Sequence, residues 1–421
     1  MKNFFSPKSI AVLASFNNCD SFGLTILQNI IQNGFLGRIF TVDPESTTAL
    51  GFKNYAFITE IPSQIDLAIL NYSNKELSYF LNLCGEKGIK NVILLPTKNN
   101  KNVKNENFQK QLQELARKNN LNILGPNSLG IINLQDKINI SLQPQGGQIG
   151  VVSLFSQGID AGQIFLNKIP QLKINKWISS GSIELIPQSE IINYLLADKF
   201  SKVICLWLEK IDEPELIASI YQKYKGNKVL IIYSNQTRDF PILSKNGIII
   251  AKNPNQMLAL AKVFSTQKIK LVQKTLLITN YDKLLSNFGG IFAKYNLNIS
   301  KIVQTNFENC ELISASDIKN SDAIILVLRP QIPNINLLTL KKLITFCRKF
   351  SITLIPIFIQ NDNPQLNKIF DQTNILHYDN FQEPLVILNN INKWITNKNQ
   401  NKIYIRLFTK QNQKNEFSLG I

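Results

Sequence analysis

The residue pattern predicts an α/β protein made of three doubly wound (Rossmann/flavodoxin-like) parallel-sheet domains in series. Short apolar runs rich in Ile, Leu and Val alternate with longer amphipathic ones, the signature of buried parallel strands covered by helices. The chain is 421 residues long, more than one hydrophobic core usually serves.

The elements follow in order. The first domain is expected over residues 1–145, with strands at Ser9–Leu13, Arg38–Val42, Leu67–Leu70, Asn91–Leu95 and Leu121–Leu124. Helices are expected over Gly23–Asn33, Lys75–Lys87 and Glu106–Lys118, the first stopped by Gly34. The second domain, 146–268, has strands Ile149–Ser153, Trp177–Ile178, Val203–Leu208 and Val229–Tyr233. Its helices run through Phe165 and over Ser189–Ala197, Glu213–Tyr224 and Asn255–Ser265. Lys268–Lys274 is a charged connector. The third domain, 272–397, repeats the plan: strands Leu276–Thr279, Ala323–Val327 and Thr353–Phe358, helices Leu284–Tyr295, Leu337–Lys349 and Glu383–Ile395. A polar, basic tail, 398–421, carries one alternating stretch, Ile403–Thr409.

Composition narrows the function classes. The five cysteines (Cys19, Cys84, Cys205, Cys310, Cys347) are scattered, odd in number and never spaced Cys-x-x-Cys. That argues against a disulfide framework or zinc site and for a reducing, cytoplasmic address. The apolar run Ile10–Ala14 is too short for a signal segment and reads as a strand. No stretch approaches the ~20 apolar residues that span a bilayer. The net charge of +17 raises nucleic acid as a partner. The lysines are spread through the chain, and the densest stretches, Lys98–Lys118 and Lys398–Lys414, lack interleaved aromatics. A solvated basic surface is the better account.

Several segments together carry a family resemblance. Phe4-Phe5-Ser6-Pro7-Lys8-Ser9-Ile10-Ala11-Val12 is similar to an F-x-P-K-S-I-A-V-I-G-A-S opening, and Leu124–Asn133 to L-G-P-N-C-L-G-I-I-N. Gly147–Ser153 lies over G-N-I-A-F-I-S, Trp177–Gly181 over F-V-S-L-G, Leu206–Glu209 over L-Y-L-E, and Thr279-Asn280 over the start of T-N-A-G-G-P-G. These are segments of the succinate–CoA and ADP-forming acetate–CoA ligases, and the chain resembles their CoA-binding, alpha-type subunit over about residues 4–396. The resemblance implies CoA as ligand and a separate ATP-grasp chain as partner. It also implies a reaction in which nucleotide phosphorylates a histidine, phosphohistidine makes an acyl phosphate, and CoA displaces the phosphate. Helix N-termini would cradle that phosphate through free N–H groups.

On this resemblance the CoA-binding positions are Ala14, Ser15, Phe16, Gly23, Gly125, Pro126 and Asn127. The phosphate-binding positions are Ser153, Ser156, Gln157 and Gly158, and Glu209 matches the glutamate that orients the histidine. Simpler accounts stand beside these: Gly125-Pro126-Asn127 as a turn packing two domains, Glu209 as a strand-end surface carboxylate.

The departures matter more. The S-H-T-G-S loop that bears the histidine has no counterpart. Tyr233-Ser234-Asn235-Gln236-Thr237 leads through Arg238-Asp239-Phe240-Pro241 to the strand Ile248–Ala251. A phosphoryl carrier needs a positioned nucleophile. The sole histidine, His377, reads as a half-exposed loop residue. Leu154-Phe155 interrupts S-Q-S-G, leaving Ser156-Gln157-Gly158 as a shifted remnant, and Asp282-Lys283-Leu284-Leu285 replaces G-G-P-G. In the CoA loop Ala14 and Asp20 replace glycines, and Val42-Asp43-Pro44-Glu45 replaces V-N-P-K.

The expectation is a degenerate member that keeps the fold and domain order and acts as a CoA- or nucleotide-binding or interaction protein. One alternative is an active acid–CoA ligase (ADP-forming) subunit with a rearranged site. The other is a basic nucleic-acid-binding protein.

Overall fold

The computed structural model describes residues 1–17, 21–97, 106–143, 148–168, 172–281, 288–305, 314–329, 336–359, 363–373 and 375–397. Cys19, Asp20, Lys98–Lys104, Asp282–Leu285, Cys310 and the tail 398–421 lie outside the described residues. The chain divides into two compact units, Met1–Ile242 and Leu243–Ile421.

The first unit holds two sheets. β1 (Ser9–Ala14), β2 (Arg38–Val42), β3 (Thr48–Ala49), β4 (Phe52–Tyr55), β5 (Leu67–Asn71), β6 (Asn91–Leu94) and β7 (Asn122–Leu124) form one, in the order β3-β4-β2-β1-β5-β6-β7. All its pairs are parallel except β3–β4. β1 is buried at every residue, because helices cover both faces and period-2 alternation has no use there. A short α1 (Lys2–Phe5) precedes β1, and the neighbouring helices are α2 (Phe22–Gln32), α3 (Asn74–Glu86) and α4 (Glu106–Lys118).

The second sheet includes β8 (Gly130–Asn133), β9 (Ile138–Ser141), β10 (Gln148–Gln157), β11 (Lys173–Gly181), β12 (Val203–Leu208) and β13 (Val229–Ser234). Within this unit they run β13-β12-β10-β11-β8-β9. β10, β11, β12 and β13 are parallel, whereas β8 and β9 form an antiparallel hairpin joined to β11 through Trp177 and Ile132. That hairpin was not foreseen, since Gly130–Ser141 has no helix between its apolar runs. β10 also runs four residues past the expected end at Ser153, to Gln157, because Leu154, Phe155 and Ser156 are buried strand residues. Helices α5 (Ile159–Lys168), α6 (Gln188–Ala197) and α7 (Pro214–Gln222) follow the strands in turn.

The six-residue α8 (Phe240–Lys245) leads into the second unit, which has β14 (Ile249–Ile250) and α9 (Pro254–Thr266). Its parallel sheet, β16-β15-β17-β18, comprises β15 (Thr275–Thr279), β16 (Ile299–Gln304), β17 (Ala323–Leu328) and β18 (Thr353–Phe358). A core of Leu276, Ile278, Ile324, Leu326, Leu340 and Leu366 lies on one face. The α/β class and the parallel sheets expected from the sequence are present; the antiparallel members are additions at sheet margins.

Candidate functional site

In the first sheet β1 lies between β2 and β5, so the connections from β1 and β5 run opposite ways along it. The carboxyl ends of these two strands frame a switch point, the place where doubly wound sheets take ligands. Ala14 ends β1 opposite Asn71, which ends β5. A β-carbon on Gly23 would stand 2.1 Å from the Ala14 β-carbon, so α2 starts directly against the strand end and glycine is needed there. Asn71 Oδ1 accepts from the Gly23 N–H and the Ser21 hydroxyl, both at 3.4 Å, and Asn71 Nδ2 donates to the Pro96 carbonyl at 2.8 Å. An α2 N–H that a nucleotide phosphate would take is therefore already turned to a side chain. Ser15 is half-buried; the Phe16 N–H donates to Asp43 Oδ2 at 2.9 Å, and Asn17 Nδ2 to the Glu45 carbonyl at 3.1 Å. Burial and, after it, the charges of Asp43, Glu76 and Glu45 raise the pKa of the Tyr72 phenol. Its hydroxyl and that of Thr97 are buried without a hydrogen-bond partner among the described residues.

Gly125, Pro126 and Asn127 meet the end of β11. The Pro126 carbonyl accepts from the Ser182 N–H at 2.8 Å, Asn127 Nδ2 donates to Ser182 Oγ at 3.2 Å, and Ser128 Oγ donates to the Ser179 carbonyl at 2.6 Å. Gly125, at φ +109°, and Asn127, at φ +61°, make this turn possible. It joins the two sheets of the first unit.

In the second sheet β10 lies between β11 and β12, so the switch point falls between Gln157 and the end of β12. Gln157 Oε1 accepts from the Glu209 N–H at 2.8 Å and the Lys210 N–H at 3.3 Å, closing the crevice. The Gly158 N–H donates to the Gly181 carbonyl at 2.8 Å. A β-carbon on Gly181 would stand 2.2 Å from the Pro126 carbonyl oxygen, so the Gly158 loop and the Gly125–Asn127 turn converge on one residue. Glu209 is exposed, and its Oε1 would lie 2.1 Å from a β-carbon on Gly158. Ser156 Oγ is buried and directed at the Ile178 carbonyl, 3.4 Å away.

Ser153 is not part of this group. It is buried beside the start of β12, its Oγ 2.7 Å from Ser201 Oγ, in a network with Asn175, Asp198 and the Lys176–Asp198 ion pair of 2.8 Å. β10 runs on to Gln157, so Ser156, Gln157 and Gly158, and not Ser153, stand at the strand end.

At the end of β13, Ser234 Oγ donates to the Glu209 carbonyl at 3.4 Å and accepts from the Gln236 N–H at 3.1 Å. Asn235 Oδ1 accepts from the Tyr233 hydroxyl at 2.8 Å. The connection then enters α8 with no imidazole. His377, in the second unit, stacks on Phe358 with ring centroids 5.1 Å apart, and burial holds its pKa below the usual value. The third sheet repeats the closure of the second. Between the ends of β15 and β17, Asn280 Oδ1 accepts from the Arg329 N–H at 2.8 Å and Asn280 Nδ2 donates to the Arg329 carbonyl at 3.2 Å.

The sequence reading missed Asn71, whose only signal is an amide ending the apolar run Leu67–Leu70. It also missed a cluster after β11. Gln188 Nε2 donates to both Glu184 oxygens, at 2.9 and 3.0 Å, and to the Lys210 carbonyl at 2.9 Å. Asp212 pairs with Lys210 at 2.8 Å. Burial and a hydrogen bond with Asp212 push the Glu184 carboxyl up to about 8.

Comparison with known proteins agrees with this architecture. Residues 8–133 match the profile of the CoA binding domain. The chain is 28% identical over 219 residues to an ADP-forming acetate–CoA ligase II of Archaeoglobus fulgidus, covering 50% of this chain and 32% of that protein. It is 25% identical over 338 residues to the ADP-forming acetate–CoA ligase of Methanocaldococcus jannaschii, covering 74% and 47%. The subunit alpha of a Pyrococcus furiosus ADP-forming acetate–CoA ligase II is 25% identical, with 66% and 65% covered. The chain thus spans about a third to two-thirds of the length of these relatives. In fold it matches the apo form of a dinucleotide forming acetyl-coenzyme A synthetase 1 of Candidatus Korarchaeum cryptofilum, with TM-score 0.83 at 16% identity, over 94% of this chain and 98% of that one. The chain carries a CoA binding domain at residues 8–133 and is related to the alpha-type subunits of the ADP-forming acyl-CoA ligases.

Proposed function

We propose that this protein is a CoA- or nucleotide-binding relative of the ligase alpha subunit that does not carry out phosphohistidine transfer. The observation that carries the proposal is the state of the switch point between β10 and β12. Gln157 takes the Glu209 and Lys210 N–H groups, and the connection from Tyr233 to α8 offers no imidazole beside Glu209. A phosphoryl relay needs a nucleophile and free donors for the anion. Asn280 holds the Arg329 backbone in the same way. The partner the relatives suggest, an ATP-grasp chain, would then be bound for assembly or regulation.

The test mixes the chain with an ATP-grasp beta-type subunit, acetate or succinate, CoA, and ATP or GTP. No acyl-CoA and no phosphorylated alpha chain are expected from γ-labelled nucleotide, while a CoA-type nucleotide raises the melting temperature. Acyl-CoA formation that depends on this chain would sink the proposal, as would the absence of any nucleotide effect.

A further inference from the structure

The edge of the first sheet carries a feature that bears on which nucleotide fits, and it rests on the proposal that this domain binds a CoA-type ligand. In a doubly wound sheet the pyrophosphate sits at the N-terminus of the helix after the first strand, and the adenosine ribose lies over the end of the second strand. An acidic side chain at that strand end accepts hydrogen bonds from free ribose hydroxyls, whereas a ribose phosphate calls for a cation. Here β2 ends at Val42 and is followed by Asp43, Pro44 and Glu45.

The two carboxylates are held in place by the backbone. Asp43 accepts from the Phe16 N–H with Oδ2, at 2.9 Å, and from the Glu45 N–H with Oδ1, at 3.0 Å. Asn17 fastens the Glu45 carbonyl at 3.1 Å. Phe16 and Asn17, after β1, are therefore bonded to Asp43 and Glu45, after β2. Asp43 is buried at 2% exposure and Glu45 is exposed at the rim. Glu76, beyond Tyr72, is a third carboxylate at this edge, bonded to Ser73 Oγ at 2.6 Å.

We infer that the first domain selects an adenosine nucleotide whose ribose carries free hydroxyls, and that Glu45 discriminates against a ribose 3′-phosphate such as that of CoA. A 3′-phosphate brings close to two negative charges to the end of β2, where Asp43 and Glu45 stand. A free 3′-hydroxyl donates a hydrogen bond to the Glu45 carboxylate instead.

Isothermal titration of the full chain with CoA and with 3′-dephospho-CoA reads this directly, because the ligands differ only in that phosphate. Dephospho-CoA is expected to bind about tenfold or more tighter, the low end of what one charge pair contributes between bulk water and a protein surface. Glu45→Gln should narrow the gap and Glu45→Lys should invert it, with melting temperatures near that of the unaltered protein because the side chain is exposed. CoA binding as tightly as dephospho-CoA overturns the inference and leaves the nucleotide-binding proposal standing. A gap unchanged in both variants removes Glu45 from the selection. Binding of neither ligand overturns both.

Discussion

The Glu209 carboxylate lies over Gly158, its Oε1 2.1 Å from where a β-carbon on that glycine would stand. An exposed carboxylate therefore lies over the start of α5, the place where a helix offers donors to an anion. It does so while the Glu209 N–H is turned to Gln157.

Gly158 and Gly181, which ends β11, should respond differently to alanine. Gly158 has φ +83°, and the atom a methyl would meet is the flexible end of Glu209, so Gly158→Ala should cost about 1 kcal/mol, from backbone strain. Gly181 has φ +78°, and its methyl would meet the Pro126 carbonyl oxygen at 2.2 Å and the Ser128 nitrogen at 2.8 Å, both backbone. Gly181→Ala should cost roughly 2–4 kcal/mol. Urea unfolding of both variants checks the order; equal losses would show that the Gly125–Asn127 turn does not lean on β11 as described.

Gln157 and Asn280 each span a switch point with a carboxamide. Gln157→Ala removes the acceptor that Gln157 offers the Glu209 and Lys210 N–H groups, and Asn280→Ala removes the two hydrogen bonds between its amide and the Arg329 backbone. Each substitution should cost roughly 1–2 kcal/mol, and the two losses should be similar because Gln157 and Asn280 are both 5% exposed. Chemical denaturation of the two single variants measures this. A neutral Asn280→Ala would mean the crevice between β15 and β17 does not depend on that amide.

How much of this was legible in the sequence differs by element. Parallel strands such as Leu67–Asn71 and Ala323–Leu328 announce themselves because burial on both faces demands unbroken apolar runs. The β8–β9 hairpin does not, since its pairing to Trp177 is set by tertiary packing over forty residues away in the chain. The positions Ser156, Gln157, Gly158 and Glu209 are singled out by resemblance alone, but that Gln157 accepts from the Glu209 and Lys210 N–H groups is a fact of side-chain direction. Ser153 shows the reverse: similar in sequence to a loop serine, it is drawn into the strand because Leu154 and Phe155 are buried. The Glu184–Gln188–Asp212 cluster was invisible because it joins residues from two separate connections.

The cysteines yield a labelling prediction. Burial pushes the Cys84 and Cys347 thiols up to about 12 and raises Cys205 further. The thiolate is the nucleophile, so none of the three should react with iodoacetamide in the folded protein at pH 8. All three should label after unfolding in guanidinium. Peptide mass spectrometry reads each site separately, and rapid native labelling of Cys205, at the centre of β12, would contradict the packing of the second sheet.

The last prediction concerns pH. Glu184 is raised to about 8, first by burial and then by its hydrogen bond with Asp212. Asp212 is held below its usual value: burial opposes this, but hydrogen bonds from Glu184 and Lys210 outweigh it. An unfolded chain releases the Glu184 proton near 4.5, whereas the folded protein keeps it to about 8. Stability from this group is therefore complete below about 4.5, falls as pH rises between the two values, and levels off above about 8. Glu184→Gln mimics the protonated form: its amide can donate to Asp212 at any pH. The variant should match the parent near pH 5 and exceed its melting temperature at pH 8.5 by a few degrees, about 1–2 kcal/mol. Thermal melts of both proteins from pH 5 to 9 decide it. Parallel curves across that range would mean Glu184 is ionised at neutral pH.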